Sequence, residues 1–430
     1  MSRAFFQRPL FEPLARRDFR LLLAGSLLVS ATLPVHLLTQ VFWVNHSYPE
    51  RAVLYAGILA ASRGASMVLF SLIGGVIADQ FERRAVLFVC ATLALAAHAV
   101  VAALMLLEPF GEATVAAVAL WTFIAGSIQS IDSPARQASI PTAAGMQNVP
   151  AAVALLSISQ QIVLPLSLPV VGILNDVISP GAVYALSLLT WAGILPLILM
   201  LRFRSTGGAT GSNVLANARE GLGYVRRRRA LLAIVTLVLT IQVIGFPVAT
   251  PLGPMFYIEV LHFTPTQVGF MGMAWGVGSL AASLSMAQFV RLPRRGVTLA
   301  VVALTFGIAL IIFGHSRWIP LTAVSNFTMG FSFTATSLVA ITLTQILVDD
   351  RVRGRVLSLF PFSHGLAQLG TAGAGAIGGL VGLAILIPVL GWAAFASCAL
   401  IILLFREFLP ARAEPTTVEE VEVGPGARPP

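Results

Sequence analysis

The chain has 430 residues, of which 57% are hydrophobic and only 10% charged, and its mean hydropathy is +0.88. That balance excludes an ordinary soluble domain and reads as a polytopic membrane protein. The formal charge of +9 comes with 27 basic residues that are all Arg, and their distribution along the chain follows membrane topology, which excludes nucleic acid as the partner.

About twelve apolar runs, each near the 20 residues needed to cross a hydrocarbon core, recur at almost regular spacing. They are continuous rather than alternating, so they read as helices and not as strands of a closed barrel. Residues 1–18 form a basic N-terminal segment. Its Arg16-Arg17-Asp18-Phe19 superficially resembles a twin-arginine signal, but the run that follows, 19–44, is too long for a signal peptide and ends in no small-residue cleavage site. It is read as a retained span 1, kinked near Pro34. Spans 2 to 6 are expected at 52–78, 85–107, 113–133, 149–174 and 180–203.

The apolar signal stops over 204–229, a linker rich in Gly, Ser and Thr that leads into a polar, helix-capable stretch ending in Arg226, Arg227, Arg228 and Arg229. Val214, Leu215, Leu222 and Val225 are expected to face lipid headgroups there, and the arginines to hold the start of span 7 at the inner surface. Spans 7 to 12 follow at 230–258, 268–290, 297–313, 319–347, 356–376 and 380–405, and the tail 406–430, rich in Glu and Pro, is expected to be disordered. Gly245, Pro247, Pro251, Gly253 and Pro254 predict a bent or broken outer half of span 7. With the N-terminus inside, 24 of the 27 Arg fall on one side, Arg51 and Arg317 on the other, and Arg63 within a span. The positive-inside rule then puts both termini in the cytoplasm, with the chain in the inner membrane. Cys90 and Cys398 lie inside apolar runs, so neither a disulfide framework nor a thiolate metal site is implied, and no cofactor is expected.

The second half repeats the first: six spans, a basic linker and six spans again, the plan of a two-fold transporter with its site between the halves. The expected fold is all-α, twelve transmembrane helices in two pseudo-symmetric six-helix bundles, 19–203 and 230–405. After span 2 comes Gly75-x-x-x-Asp79-x-x-x-Arg83-Arg84; its counterpart after span 8, Arg291 to Gly296, is degenerate, with Val290 at the aspartate position. Asp132-Ser-Pro-Ala-Arg136 follows span 4, and Arg353-Gly-Arg355 enters span 11. Together these motifs resemble the major facilitator superfamily, and within it the branch of enterobactin exporters and macrolide efflux proteins. The resemblance implies a gate latch at the cytoplasmic ends, formed by Gly75, Asp79, Arg83, Arg84, Asp132, Arg136, Arg353 and Arg355, that stabilises the outward-open state.

In physical terms, Gly75 lets a neighbouring helix approach closely, and Asp79 can face the N-terminal dipole of span 11, expected near Gly354. Arg83 and Arg84 can pair with Asp132 or with lipid phosphate. Asp132 and Arg136, four residues apart, share a face only if the helix continues through Pro134, and read either as gate partners or as a local pair. Arg63 lies sixteen positions before Asp79, about 24 Å along the helix axis. It reads either as a substrate or gating contact or as a snorkelling side chain. Spans 1, 4, 7 and 10 line the cavity in the superfamily. The resemblance thus makes His36, Gln40, Gln242 and Asn326, with Arg63, the candidates for the substrate or proton pathway, ahead of His98, Gln160, Gln161, His364 and Gln368. No carboxylate lies near the centre of a span, so a coupling proton would ride on His36 or on Asp132. The antiporter motif of span 5 is eroded to Pro165, Pro169 and Gly172.

The expected function is secondary active transport, export of a bulky apolar or siderophore-like small molecule by alternating access, with the proton as coupling ion and a monomer in the lipid bilayer. An uptake permease for a small anionic metabolite and a non-transporting scaffold are the alternatives. No His-Glu-x-x-His, Gly-x-Ser-x-Gly or paired intramembrane aspartates point to an enzyme.

Overall fold

A computed structural model describes residues 11–202, 214–289, 295–357 and 359–409, with the side chains of 71–76, 78, 79, 214–219, 286–289, 350, 351, 359, 361 and 362 outside the description. The first six long helices are α1 (Arg17–Ser47), α2 (Ala52–Gln80), α3 (Arg83–Leu107), α4 (Thr114–Ala144), α5 (Val149–Val177) and α6 (Pro180–Leu199). A surface helix α7 (Val214–Arg227) leads to α8 (Arg229–Pro247) and α9 (Gly253–Glu259), which together make one interrupted span. Then come α10 (Pro265–Phe289), α11 (Arg295–His315), α12 (Ile319–Leu347), the short α13 (Asp350–Leu357), α14 (Leu359–Val381) and α15 (Leu383–Leu404). Among the described residues there is no strand.

Eleven of these spans are long and apolar enough to cross a membrane. The glycine- and alanine-rich α14, 23 residues long, takes the twelfth place. Large apolar side chains such as Leu93, Leu166, Val170, Leu189, Val301 and Leu403 point outward. In water such a surface would be an interaction liability; in a bilayer it is the required solvent-facing surface.

Three elements differ from the sequence expectation. Helix α4 runs eleven residues past Ser133, through Pro134 and Pro141. Proline forfeits a backbone hydrogen bond inside a helix, but the turns around Pro134 are held by buried Asp132, Ala135, Arg136, Ser139 and Ile140. Span 11 is entered earlier than expected: its helix begins at Asp350, four residues before Gly354, while residue 358 and the Asp79 side chain, which bear on the expected dipole contact, lie outside the described residues. The linker helix also turns its apolar residue inward. Val225 is fully buried in a cluster with Val348, Val352 and Val356, while Leu222 stays exposed; Val214 and Leu215 lie outside the described side chains. The bent or broken outer half expected of span 7 is a break at Val248–Leu252, where Thr250 leaves the helical region at φ −153° and ψ 131°.

The halves meet along two seams, α2 against α14 and α5 against α10, with α1 touching α9 and the break. Both seams depend on missing side chains. A Cβ on Gly57 would lie 2.8 Å from the Thr371 carbonyl oxygen, one on Gly64 2.5 Å from Gln368 Cβ, and one on Gly276 2.5 Å from Pro165 Cβ. Small residues let helices pack backbone to backbone where no hydrophobic effect drives them together. Among the described residues the α2–α14 contacts run from near the Ala52 end, opposite Arg83 and Arg84, to Val68 against Gly365. Gly57→Val should therefore part the halves at that end. Spin labels at the exposed Glu50 and Leu380 are expected to report a longer separation in the variant than in the parent, in a protein that stays folded.

Candidate functional site

Between the halves lies a cavity of about 340 Å³ walled by α1, α2 and α5 on one side and by the span 7 break, α10, α12 and α14 on the other. Val248, Ala249, Thr250 and Pro251 contribute to the wall. Irregular backbone at membrane depth is tolerated where it lines such a space, and the three prolines of this segment keep the helix from closing across it. The wall is mostly apolar, with Trp275 and Phe333 packed at 5.7 Å between ring centroids and Phe246 edge-on to His364 at 4.6 Å.

Polar groups interrupt this surface at few points: Gln40, Arg63, Thr250, Tyr257, Asn326, His364 and Gln368. Gln40 donates to Thr122 Oγ1 at 2.9 Å, Asn326 donates to the Met271 carbonyl, and Gln368 reaches Met67 Sδ at 3.8 Å. Arg63 differs from these three, because its Nη1 is closed off from solvent and has no hydrogen-bond partner.

Of the candidates, Arg63, Gln40 and Asn326 line the cavity, whereas His36 and Gln242 do not. The His36 ring turns into the first half, stacked on His98 at 3.8 Å with Nε2 3.2 Å from Ser187 Oγ. His98 Nδ1 in turn lies 2.9 Å from the Tyr184 hydroxyl, and its ring stacks on Trp191 at 5.4 Å. Gln242 is buried one turn before Phe246, which does reach the cavity. His364 and Gln368 reach it from span 11, which the resemblance does not count among the lining helices; their i, i+4 spacing on one face was the available signal.

At the arginine-bearing end Arg83, Arg84, Asp132 and Arg136 bond within the first half. Arg136 grips Asp132 through Nε at 3.0 Å and Nη2 at 3.1 Å, and both residues are buried, at 8% and 5% exposure. Arg83 donates to the Ala138 carbonyl and Arg84 to the Leu199 carbonyl, each at 2.7 Å, so neither pairs with Asp132 as the sequence allowed. Arg355 pairs with Glu220 of α7, and Arg353 reaches the Val348 carbonyl at 3.5 Å. The side chains of Gly75 and Asp79, and residues 290–294, lie outside the described residues. Nearby, Arg228 lies over the Tyr224 ring at 4.6 Å and pairs with Asp349 at 3.2 Å. Tyr224 donates to the same carboxylate at 2.8 Å, and partial burial together with that bond pushes its phenol above the ordinary range.

Two six-helix halves that share a cavity, joined by a docked basic linker, define a multi-pass membrane transporter. The chain belongs to the Major Facilitator Superfamily, whose family model matches residues 21–369. Among curated relatives, the multidrug efflux pump Tap of Mycolicibacterium fortuitum is 26% identical over 351 residues, covering 77% of this chain and 82% of that protein. Tap of Mycobacterium tuberculosis is 26% identical over 172 residues, 40% of each chain. A POT family transporter in complex with 5-aminolevulinic acid superposes with a TM-score of 0.73 at 12% identity, covering 91% of this chain and 97% of its own. The nucleoside transporter NupG (D323A mutant) gives 0.73 at 12% identity, with 90% and 100% covered. These structural likenesses carry the fold alone.

Because Asp132 is the carboxylate that balances buried Arg136, Asp132→Asn should lower unfolding stability by about 3 kcal/mol. The double variant Asp132→Leu with Arg136→Met is expected to recover most of that loss in a thermal unfolding series.

Proposed function

We propose that the protein exports bulky, largely apolar small molecules from the cytoplasm across the inner membrane by alternating access, as a monomer and in exchange for protons. The observation that carries this reading is the cavity itself, since its wall is drawn from both halves and therefore opens or closes when one half rocks against the other. The printed description of Tap as a multidrug efflux pump supports export. The distribution of arginines supports a cytoplasmic location for both termini.

In this reading the described state faces the cytoplasm. The glycine seams hold the outer ends together, and Arg83, Arg84 and Arg136 bond inside the first half. Outward opening breaks the seams and brings the α2–α3 hairpin, with Gly75, Asp79, Arg83 and Arg84, toward α13 with Arg353 and Arg355. Two groups are suited to carry the coupling proton. One is the stacked His36–His98 pair, linked to Ser187 and Tyr184. The other is Asp132, whose protonation would release Arg136 and loosen the start of the α4 extension.

Ala60 lines the cavity, so Ala60→Trp fills the shared space without touching either gate. Efflux of a labelled drug panel from energised vesicles is expected to fall more than tenfold in that variant, with the protein still folded, and an uncoupler is expected to abolish efflux by the parent. Unchanged efflux by Ala60→Trp would take the cavity out of the transport path.

A further inference from the structure

Among the described residues, Arg63 forms no ion pair with a carboxylate. It sits eleven residues from the Ala52 end of α2, about 16 Å down the helix axis, too deep for its side chain to reach the interface by snorkelling. Its Nη1 is buried without a hydrogen-bond partner, and no Asp or Glu is among the residues that line the cavity. An intramembrane charge normally finds a partner in the protein or faces a polar path, because leaving it unpaired is costly. The neighbouring amides of Gln40 and Asn326 do not relieve it: their nitrogens donate to Thr122 and Met271, and neither amide oxygen accepts from Arg63 Nη1. Arg63 is therefore the strong donor left to the cavity, and the space around it is walled by Trp275, Phe333 and Phe246.

We propose, building on the transport reading above, that the cargo is an amphipathic organic anion. A carboxylate or similar oxyanion pairs with the Arg63 guanidinium, and an aromatic or branched apolar body lies against the wall of aromatic side chains. The guanidinium supplies parallel N–H donors that match two oxygens of one group, and the low-polarity surroundings strengthen that pairing relative to water. A cationic cargo would instead meet like charge with no acid to offset it.

The test uses the full-length purified protein in detergent and three probes that share a naphthalene body: 1-naphthoate, 1-naphthamide and 1-naphthylmethylammonium. Calorimetric titration is expected to give at least tenfold tighter binding of the carboxylate than of the amide, with the ammonium weakest. Arg63→Gln should erase that preference while amide binding persists, which also shows the variant is folded, and Arg63→Lys should restore part of it. Equal or tighter binding of the amide or the ammonium, binding of none of the three, or an Arg63→Gln protein that keeps the preference would each overturn the assignment. Proteoliposomes separate this from the transport reading. Carboxylate binding without any carboxylate movement would sink transport and leave Arg63 as an anion site, whereas movement of the ammonium alone would sink the anion assignment and leave transport intact.

Discussion

The arrangement depends on helix backbones being allowed to touch across the interface between the halves. In a bilayer, apolar side chains gain nothing by leaving lipid for protein, so two bundles adhere only where they pack closely or share polar contacts. Gly57, Gly64 and Gly375 on the α2–α14 seam and Gly269, Gly272 and Gly276 on the α5–α10 seam supply that closeness. A seam built from backbone contact and few polar bonds, such as Gln161 to Ser283 at 2.8 Å, can separate without stranding many buried polar groups. The cavity follows from the same geometry: the helices converge at the end away from the arginines and at mid-depth leave a space that α8 and α9 cannot fill, because the chain between them is broken at Val248–Leu252.

The two halves are not equivalent at the arginine-bearing end. In the first half, the Arg83 bond to Ala138 ties the α2–α3 hairpin to the α4 extension, which the Asp132–Arg136 pair braces from within. In the second, the linker helix is held by Val225 in its apolar cluster, by Arg228–Asp349 and by Glu220–Arg355. The linker thus travels with the second half as one body. The opposite end of the first half has its own fastening, where Trp43 donates to Glu108 at 2.8 Å and Arg51 pairs with Glu112 at 2.8 Å, joining α1 and α2 to the α3–α4 connection. The first half is thus fastened at both ends and the second at its arginine-bearing end, which suits movement of the halves as units.

Much of this was legible in the sequence because membrane helices follow from length and hydropathy. The spans, the linker and the disruption of span 7 by its prolines could all be read from residue order. Side-chain direction could not. His36 and Gln40 stand one turn apart on α1, yet one ring is taken up by the His98 and Tyr184 stack and the other side chain reaches the cavity. The continuation of α4 past Pro134 was also hidden, since it rests on tertiary burial of Ala135, Arg136 and Ser139 and not on local propensity. Arg63 stood out in the sequence as a lone intramembrane charge, but only the lining of the cavity shows that it has no acidic neighbour there.

The central claim, that one cavity serves both faces of the membrane, is tested most directly by single-cysteine accessibility at Ala60. The native Cys90 and Cys398 are buried and should stay silent to a membrane-impermeant maleimide. In sealed vesicles of known orientation, the account predicts that Ala60→Cys is labelled from the cytoplasmic face and, in a separate population of turnovers, from the outer face. Labelling from one face only, under conditions in which the drug panel is moved, would contradict it.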